Sequence, residues 1–242
     1  MFPALERAGV HIRQGQLTLV AAGPGVGKSA LVLTLAMRAR VPTLYVSADS
    51  DAFTQYIRSV AMLTGVPVWQ VEQDMANGKN VHYDTLLRKE NHLQWVFDPN
   101  PTLEDIAEEA RSFAYVTGDW PRLIIIDCVM NVWSDGVDET TRNKEVLEFL
   151  HTLQRETGAA VIALHHLTGE FDDGTRPAPM SALLGKVSKL PEMILTLHKS
   201  GSPDYGDMLL NVSAVKNRNG KADPSGSWYV SLPADLEHMR IG

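Results

Sequence analysis

The sequence predicts an α/β fold in which a mainly parallel, twisted sheet is flanked by helices and continued by an antiparallel C-terminal extension. Three observations predict this fold. Apolar runs with strand character alternate with helical patterns over most of the chain, the glycine-rich turn GPGVGKS joins the first such run to the first helix, and the last third carries strand-like runs without a long helix. The 242 residues contain no repeat and no long linker, so we expect residues 1–242 to form one domain.

The elements follow in order along the chain. The parallel strands are predicted at Gln16–Ala21, Thr43–Ser47, Leu93–Phe97, Leu123–Ile126 and Ala160–Leu164. The helices between them are predicted at Lys28–Arg40, Ala52–Thr64, Leu103–Tyr115 and Lys144–Thr157, and Pro42 prevents the first of them from continuing. The antiparallel strands are predicted at Met193–Lys199, Met208–Val215 and Ser227–Leu232.

The turn between the first strand and the first helix predicts a nucleotide site. In AGPGVGKS the glycines allow a tight turn that points backbone N–H groups at phosphate oxygens, Lys28 can reach the β and γ phosphates, and Ser29 can ligate Mg²⁺. The predicted cradle consists of Gly23, Pro24, Gly25, Val26, Gly27, Lys28, Ser29 and Ala30. We therefore expect ATP, or a similar nucleoside triphosphate, together with Mg²⁺.

Carboxylates follow two other strands of the predicted sheet. LIIID ends in Asp127, which a phosphate-binding loop requires on a neighbouring strand to hold magnesium. YVSADSD ends the second strand with Asp49 and Asp51. A helix follows Asp51 directly, so we interpret Asp51 as its N-cap and Asp49 as the group that orients or deprotonates the attacking water.

Composition limits the other function classes. The net charge of −7 argues against a protein that coats nucleic acid over its whole surface, so any nucleic acid must meet a local basic site. The single Cys128 excludes an internal disulfide framework and a multi-cysteine zinc site. No apolar run approaches the roughly 20 residues that cross a bilayer, and the N-terminus lacks the pattern of a signal peptide. We expect a cytoplasmic protein without membrane contact.

Taken together, these motifs resemble the RecA-like ATPase domain of the DnaB-type replicative helicases over nearly the whole chain. LTLVAAGPGVGKSALVLTLA is similar to that family's P-loop, which also begins with alanine, here Ala22. YVSADSD corresponds to the strand that ends in the family's catalytic glutamate, so the resemblance gives Asp49 that role. VIALHHL corresponds to the strand that carries a γ-phosphate-sensing glutamine, and His166 stands at that position; a histidine there can still donate to phosphate.

The resemblance also implies assembly and a DNA interface. VKNRNG is similar to the segment that reaches into the neighbouring subunit's active site, which gives Lys216 and Arg218 the roles of trans-acting lysine and arginine finger in a homo-oligomer, expected to be a hexamer. RPAPMSALLGKVSKLPEMILTL is similar to the DNA-contacting loop. Candidates for contact with DNA phosphates in the polar segments 131–144 and 169–189 are Arg142, Lys144, Arg176, Lys186 and Lys189. RadA-type recombination ATPases share part of this pattern.

Three functions are consistent with this sequence. The first is an ATP-dependent motor on single-stranded or forked DNA, in the form of a stand-alone motor domain of phage or plasmid type that lacks the family's N-terminal domain. The second is a metal-dependent nuclease, suggested by His165 and His166 close to Asp49, Asp51 and Asp127. The third is a non-translocating ATPase that loads or regulates other replication or recombination proteins.

Overall fold

A nine-stranded sheet forms the centre of the computed structural model, which describes residues 2–202 and 206–242 and, within them, every side chain except that of Lys186. The strands are β1 (Leu17–Ala21), β2 (Thr43–Ser47), β3 (Leu93–Val96), β4 (Leu123–Asp127), β5 (Ala160–His165), β6 (Met193–Ser200), β7 (Leu209–Asn217), β8 (Val230–Asp235) and β9 (Arg240–Ile241). Their order in the sheet is β3-β2-β4-β5-β1-β6-β7-β8-β9. The strands β1 to β6 pair in parallel, and β7 to β9 extend the sheet antiparallel, which confirms the predicted fold class.

Seven α-helices accompany the sheet in the described part of the chain. They are α1 (Pro3–Arg7), α2 (Lys28–Ala39), α3 (Ala52–Thr64), α4 (Val68–Ala76), α5 (Val81–Leu87), α6 (Leu103–Thr117) and α7 (Glu139–Thr157). Short 3₁₀ helices lie at Val129–Asn131, Gly169–Phe171, Met180–Ala182 and Leu184–Lys186. None of the described helices has the length and apolar character needed to cross a membrane.

Local signals explain the elements that match the prediction. Strand β2 and helix α3 have the predicted boundaries. Asp51 begins α3 as its N-cap and accepts a hydrogen bond from the backbone N–H of Thr54 at 2.7 Å, and Gly65 ends the helix in the left-handed conformation. The interpretation of Asp51 as a helix cap is therefore confirmed.

Helix α7 corrects one prediction. It begins at Glu139, five residues before the predicted start at Lys144, because Asp138 caps it by accepting the backbone N–H of Thr141 at 2.7 Å. Arg142 consequently lies in the first turns of a helix, whereas the sequence analysis predicts it in a loop. Strand β7 likewise continues two residues beyond its predicted end, so that Lys216 belongs to the strand.

The sheet has an apolar cluster on each face. Tyr45 of β2 belongs to one cluster, while Leu44 and Val46 on either side of it belong to the other, as the alternation of a strand requires. Strands β1, β2, β4 and β5 are buried along their whole length. Polar side chains at the carboxyl ends of these central strands are thereby held on a rigid support.

Candidate functional site

The carboxyl ends of four neighbouring strands bring the predicted ATP-site residues to one edge of the sheet. Ala21 at the end of β1 pairs with His165 at the end of β5, and Ser47 at the end of β2 pairs with Asp127 at the end of β4. The P-loop follows β1, Asp49 follows β2, and His166 follows β5 directly. This register is the physical reason why segments far apart in sequence meet at one place.

The loop that the sequence predicts to be a P-loop connects β1 to α2 through residues 22–27, and α2 starts at Lys28 with Gly27 in the left-handed conformation at φ 117°. Lys28 is 8% exposed, and its Nζ donates to the carbonyl oxygens of Ala22 at 3.0 Å and Gly23 at 3.2 Å. Burial lowers the pKa of the Lys28 ammonium, and negative groups nearby oppose that shift. The ammonium therefore lies inside the loop that the sequence predicts to bind phosphate.

Asp127 carries the second part of the predicted site. Its carboxylate is 1% exposed and accepts hydrogen bonds from the Ser29 hydroxyl and, at 3.0 Å on Oδ2, from the Tyr45 hydroxyl. Burial raises the pKa of Asp127, and the two hydrogen bonds counteract that rise. Ser29 and Asp127 thus present two hard oxygen ligands side by side, a set that fits Mg²⁺, which takes its remaining ligands from water and phosphates.

Asp49 and His166 complete the cluster. Asp49 is exposed, and its backbone N–H, like that of Ala48, donates to the carbonyl oxygen of Asp127. Burial lowers the pKa of the half-buried His166, Lys28 acts in the same direction, and Asp49 opposes it. Lys28, Asp49, Asp127 and His166 are therefore near enough to interact electrostatically.

His165 has a different environment from His166. It is fully buried, and its Nε2 lies 2.9 Å from the carbonyl oxygen of Leu184, so Nε2 carries the proton. Burial lowers the pKa of His165 to about 4. Across residues 2–202 and 206–242, no group of three or more histidine, cysteine, aspartate or glutamate side chains is arranged to hold a metal ion. The described residues therefore include no metal-binding arrangement of the kind that suggested a nuclease.

The loop after β5 packs against the P-loop. A side chain at Gly23 would overlap the backbone of Asp172, and one at Gly174 would overlap Val26. Lys199 of β6 adds a hydrogen bond at 3.3 Å from its Nζ to the carbonyl oxygen of Gly25. The predicted DNA-facing segment and the predicted phosphate cradle are thus in direct contact.

The two cations of VKNRNG contact residues at and just beyond the end of the second polar segment. Lys216 Nζ donates to the carbonyl oxygens of Ser188 at 2.7 Å and Lys189 at 2.9 Å, and Arg218 Nη1 donates to Oε1 of Glu192 at 3.2 Å. Burial lowers the pKa of Lys216, and Arg218 adds to that effect. No hydrogen bond or ion pair of the described residues joins either cation to the chain's own P-loop.

Glu192 and Tyr45 are two residues of this region that the sequence analysis missed. Glu192 is 8% exposed and also accepts the backbone N–H of Leu17 at 2.9 Å, with His151 at 3.4 Å from its Oε1. The available signals were an acidic residue directly before a buried strand and a tyrosine in the middle of one. Buried polar side chains of this kind need a partner.

The candidate DNA contacts lie in two groups. Lys144 and Lys189 line one cavity of about 390 Å³ between α7 and the segment before β6, and Lys144 pairs with Glu148 at 3.4 Å. Arg176 is tied to Glu170 through its backbone and carboxylate oxygens, and its guanidinium lies over the ring of Phe171. Arg142 is exposed on α7, while the side chain of Lys186 lies outside the described part.

Comparison with known families and structures gives consistent matches. The sequence model of the DnaB-like helicase C-terminal domain matches residues 1–229. The gene 65 protein of Mycobacterium phage L5 is 42% identical over 247 aligned positions, which cover 100% of this chain and 91% of that protein. The replicative DNA helicase DnaB of Leifsonia xyli is 25% identical, and the match covers 90% of this chain but only 51% of the helicase.

Solved structures agree on the fold. One solved structure is of a DnaB-like replicative helicase and is described together with its interactions with primase. It superposes with a TM-score of 0.82 at 17% identity, and the match covers 99% of this chain and 60% of the helicase chain. A KaiC-like protein from Pyrococcus horikoshii superposes with a TM-score of 0.61 at 14% identity over 98% of this chain and 93% of that one. At these identities the likeness concerns the fold.

Proposed function

The chain belongs to the DnaB-like helicase C-terminal domain family, and from that membership we propose that it is an ATP-dependent motor acting on single-stranded or forked DNA in replication or recombination. The observation that carries the proposal is the convergence of Lys28, Asp49, Asp127 and His166 at one sheet edge. A buried cation, a buried carboxylate and two further polar groups are what ATP hydrolysis requires.

ATP binding begins at the P-loop in this proposal. The backbone N–H groups of the loop and the N-terminus of α2 face the phosphates, and Lys28 exchanges its hydrogen bonds with the loop carbonyls for contacts to the β and γ phosphates. Ser29 and Asp127 hold Mg²⁺, which when bound neutralises charge on those phosphates. Tyr45 keeps the Asp127 carboxylate oriented by donating to its Oδ2.

Hydrolysis then depends on the two groups that flank this centre. Asp49, with its exposed carboxylate, orients the attacking water and accepts its proton. His166 donates a hydrogen bond to the γ phosphate and so detects whether it is present. Burial and Lys28 lower the pKa of His166, which favours the neutral form of its imidazole.

The catalytic cations come from a neighbouring subunit in this proposal. We assign Lys216 and Arg218 to the active site of the next subunit in a homo-oligomer, a hexamer by analogy with the family, because both cations bond to residues 188–192 and neither bonds to its own P-loop among the described residues. A cation delivered across an interface stabilises the charge on the γ phosphate in the transition state. Hydrolysis therefore depends on assembly.

DNA binds through the segments that follow β4 and β5. Lys144 and Lys189 share one cavity wall, and the segment after β5 also packs on the P-loop, which gives a physical path from the strand of DNA to the nucleotide. A ring concentrates a few basic groups from each subunit on one strand, which makes an acidic chain compatible with DNA binding. Residues 1–242 act as one domain in the cytoplasm of a bacterial host, alongside other replication or recombination proteins.

The proposal is tested by ATP hydrolysis with and without single-stranded DNA at low salt. We expect hydrolysis that the DNA stimulates, and we expect Lys28→Ala and Asp127→Asn to abolish it. Arg40→Ala, which removes an exposed arginine paired with Glu90 far from these groups, is the matched control. The absence of both DNA binding and DNA stimulation in the unmodified protein would overturn the proposal.

A second candidate is an ATPase that loads or regulates other proteins without moving along DNA. It is favoured by Asp49, whose side chain is one methylene shorter than the glutamate that the family carries at this position. ATP hydrolysis without unwinding of forked DNA, together with nucleotide-dependent capture of a replication protein, would select it over the motor.

A further inference from the structure

A second cavity lies between α3, α5 and β3, outside the ATP site described above. It measures about 530 Å³, within the range that is usual for small-molecule sites, and no P-loop residue lines it. Its walls combine aromatic and polar side chains, and strand β3 at the edge of the sheet forms its floor.

A buried amide in this cavity lacks a partner. Gln55 is 1% exposed, and its Nε2 donates to Ser47 Oγ at 3.0 Å, while that hydroxyl donates in turn to the carbonyl oxygen of Ser50. This chain of donors fixes the orientation of the amide and leaves Oε1 of Gln55 without a hydrogen bond. A buried acceptor without a donor is costly, so Oε1 favours a ligand that carries an N–H or O–H group.

Stacked aromatic rings form another wall of the cavity. Trp95 and Phe97 lie two positions apart on the same face, with ring centroids 5.7 Å apart and planes within 7° of each other. Tyr45 packs against Trp95 at 4.5 Å. Parallel aromatic rings at the edge of a cavity suit a flat ring that stacks on them.

The charged groups around the cavity differ in whether they are already paired. Asp84 accepts from the Tyr56 hydroxyl at 2.6 Å, and Glu90 is paired with Arg40 at 2.7 Å. The guanidinium of Arg88 makes neither a hydrogen bond nor an ion pair among the described residues, although Arg88 lines the same cavity. The Arg88 guanidinium is therefore the charged group of this lining that has no partner among the described residues, and it suits a phosphate or another anion.

We propose that this cavity binds a nucleobase with its attached phosphate, supplied either by a free mononucleotide or by a single DNA strand. The base stacks beside Trp95 and Phe97, an N–H on its edge donates to Oε1 of Gln55, and the phosphate lies at Arg88. A purely apolar ligand would leave the Gln55 acceptor unpaired, and a cationic one would be repelled by Arg88.

The site also has a route to the ATP centre. Trp95 contacts Tyr45, whose hydroxyl donates to Asp127, and Gln55 is bonded to Ser47, two residues before Asp49. Occupation of the cavity can therefore alter the residues that hold the metal and the attacking water. Binding itself does not require ATP hydrolysis, so the site is independent of the proposed motor function.

The test measures binding to the full chain carrying Lys28→Ala, which weakens nucleotide binding at the P-loop. The probes are deoxyadenosine monophosphate, ribose 5-phosphate and a single-stranded oligodeoxyadenylate. Equilibrium dialysis measures the binding of the first two, and fluorescence anisotropy measures the binding of the labelled oligonucleotide. We expect Trp95→Ala, Gln55→Leu and Arg88→Ala each to weaken binding of the base-bearing probe by about tenfold or more. Ribose 5-phosphate, which lacks a base, should not compete.

The matched control is Lys89→Ala, which removes the adjacent exposed cation outside the cavity lining and should leave binding unchanged. Arg88 is exposed, so its variant keeps the test valid even if the variants of buried residues fold poorly. If the cavity variants lose binding of the mononucleotide, the base and phosphate come from a free nucleotide. If they lose binding of the oligonucleotide alone, the base and phosphate come from a DNA strand. Failure of both probes to bind, or binding that survives Trp95→Ala and Arg88→Ala, would overturn the proposal.

Discussion

Replacing His165 with glutamine should reduce the loss of folding stability that the protein undergoes at acid pH. Burial lowers the pKa of His165 to about 4, whereas an unfolded chain gives histidine about 6.5. The native state therefore binds this proton less readily than the unfolded state does. The resulting stability is complete above pH 6.5 and is lost as the pH falls towards 4.

The difference between these two pKa values corresponds to about 3 kcal/mol, most of which is lost between pH 7.5 and pH 4.5. His165→Gln keeps a donor for the carbonyl oxygen of Leu184 and does not titrate, so its free energy of unfolding should fall less over this interval by that amount. Urea denaturation at several pH values measures the difference. His82→Gln, which removes an exposed histidine, is the control. Equal pH slopes for His165→Gln and the unmodified protein would refute the reasoning.

Three further predictions concern the site. Tyr45→Phe removes a hydrogen-bond donor to the Asp127 carboxylate and should raise the pKa of Asp127 further. The acidic limb of the pH profile of ATP hydrolysis should therefore move to higher pH, and an unmoved limb would contradict this. Glu192→Leu removes the acceptor of the buried Leu17 N–H and should lower the free energy of unfolding by about 1–3 kcal/mol in urea titrations, while the lost pair with the half-exposed Arg218 adds little; a loss below about 0.5 kcal/mol would count against it. Lys144→Ala and Lys189→Ala should each weaken the salt dependence of single-stranded DNA binding, so that the slope of log binding constant against log salt concentration becomes less steep by about 0.7. An unchanged slope would exclude that lysine as a phosphate contact.

The sequence predicts the elements that carry strong local signals. Strand β2 is an apolar run between Pro42 and a polar turn, and α3 begins after Asp51 and ends before Gly65. Helix α7 shows the opposite case, because its first turn is polar and was interpreted as loop although Asp138 provides a cap. The sequence does not predict helices α4 and α5, because no side chain caps either helix by a hydrogen bond and each helix buries only one residue.

The residues of the candidate site also differ in whether a local sequence pattern reveals them. Lys28 and Asp127 were predicted because a glycine-rich turn and an acidic strand end are local patterns. Tyr45 and Glu192 matter through contacts that depend on the strand order and register, such as the pairing of Ser47 with Asp127 beside Tyr45. Such contacts between distant segments are not visible in single-sequence patterns.

The central claim is that subunits of this protein hydrolyse ATP together, with one supplying the P-loop and the next supplying Arg218. Mixing Lys28→Ala protein with Arg218→Ala protein in the presence of single-stranded DNA tests it most directly. Each variant alone should be inactive. The mixture should recover about a quarter of the unmodified rate, since half of the P-loops are intact and half of their neighbours carry Arg218. A mixture as inactive as its two components, with assembly intact by sedimentation, would contradict the claim.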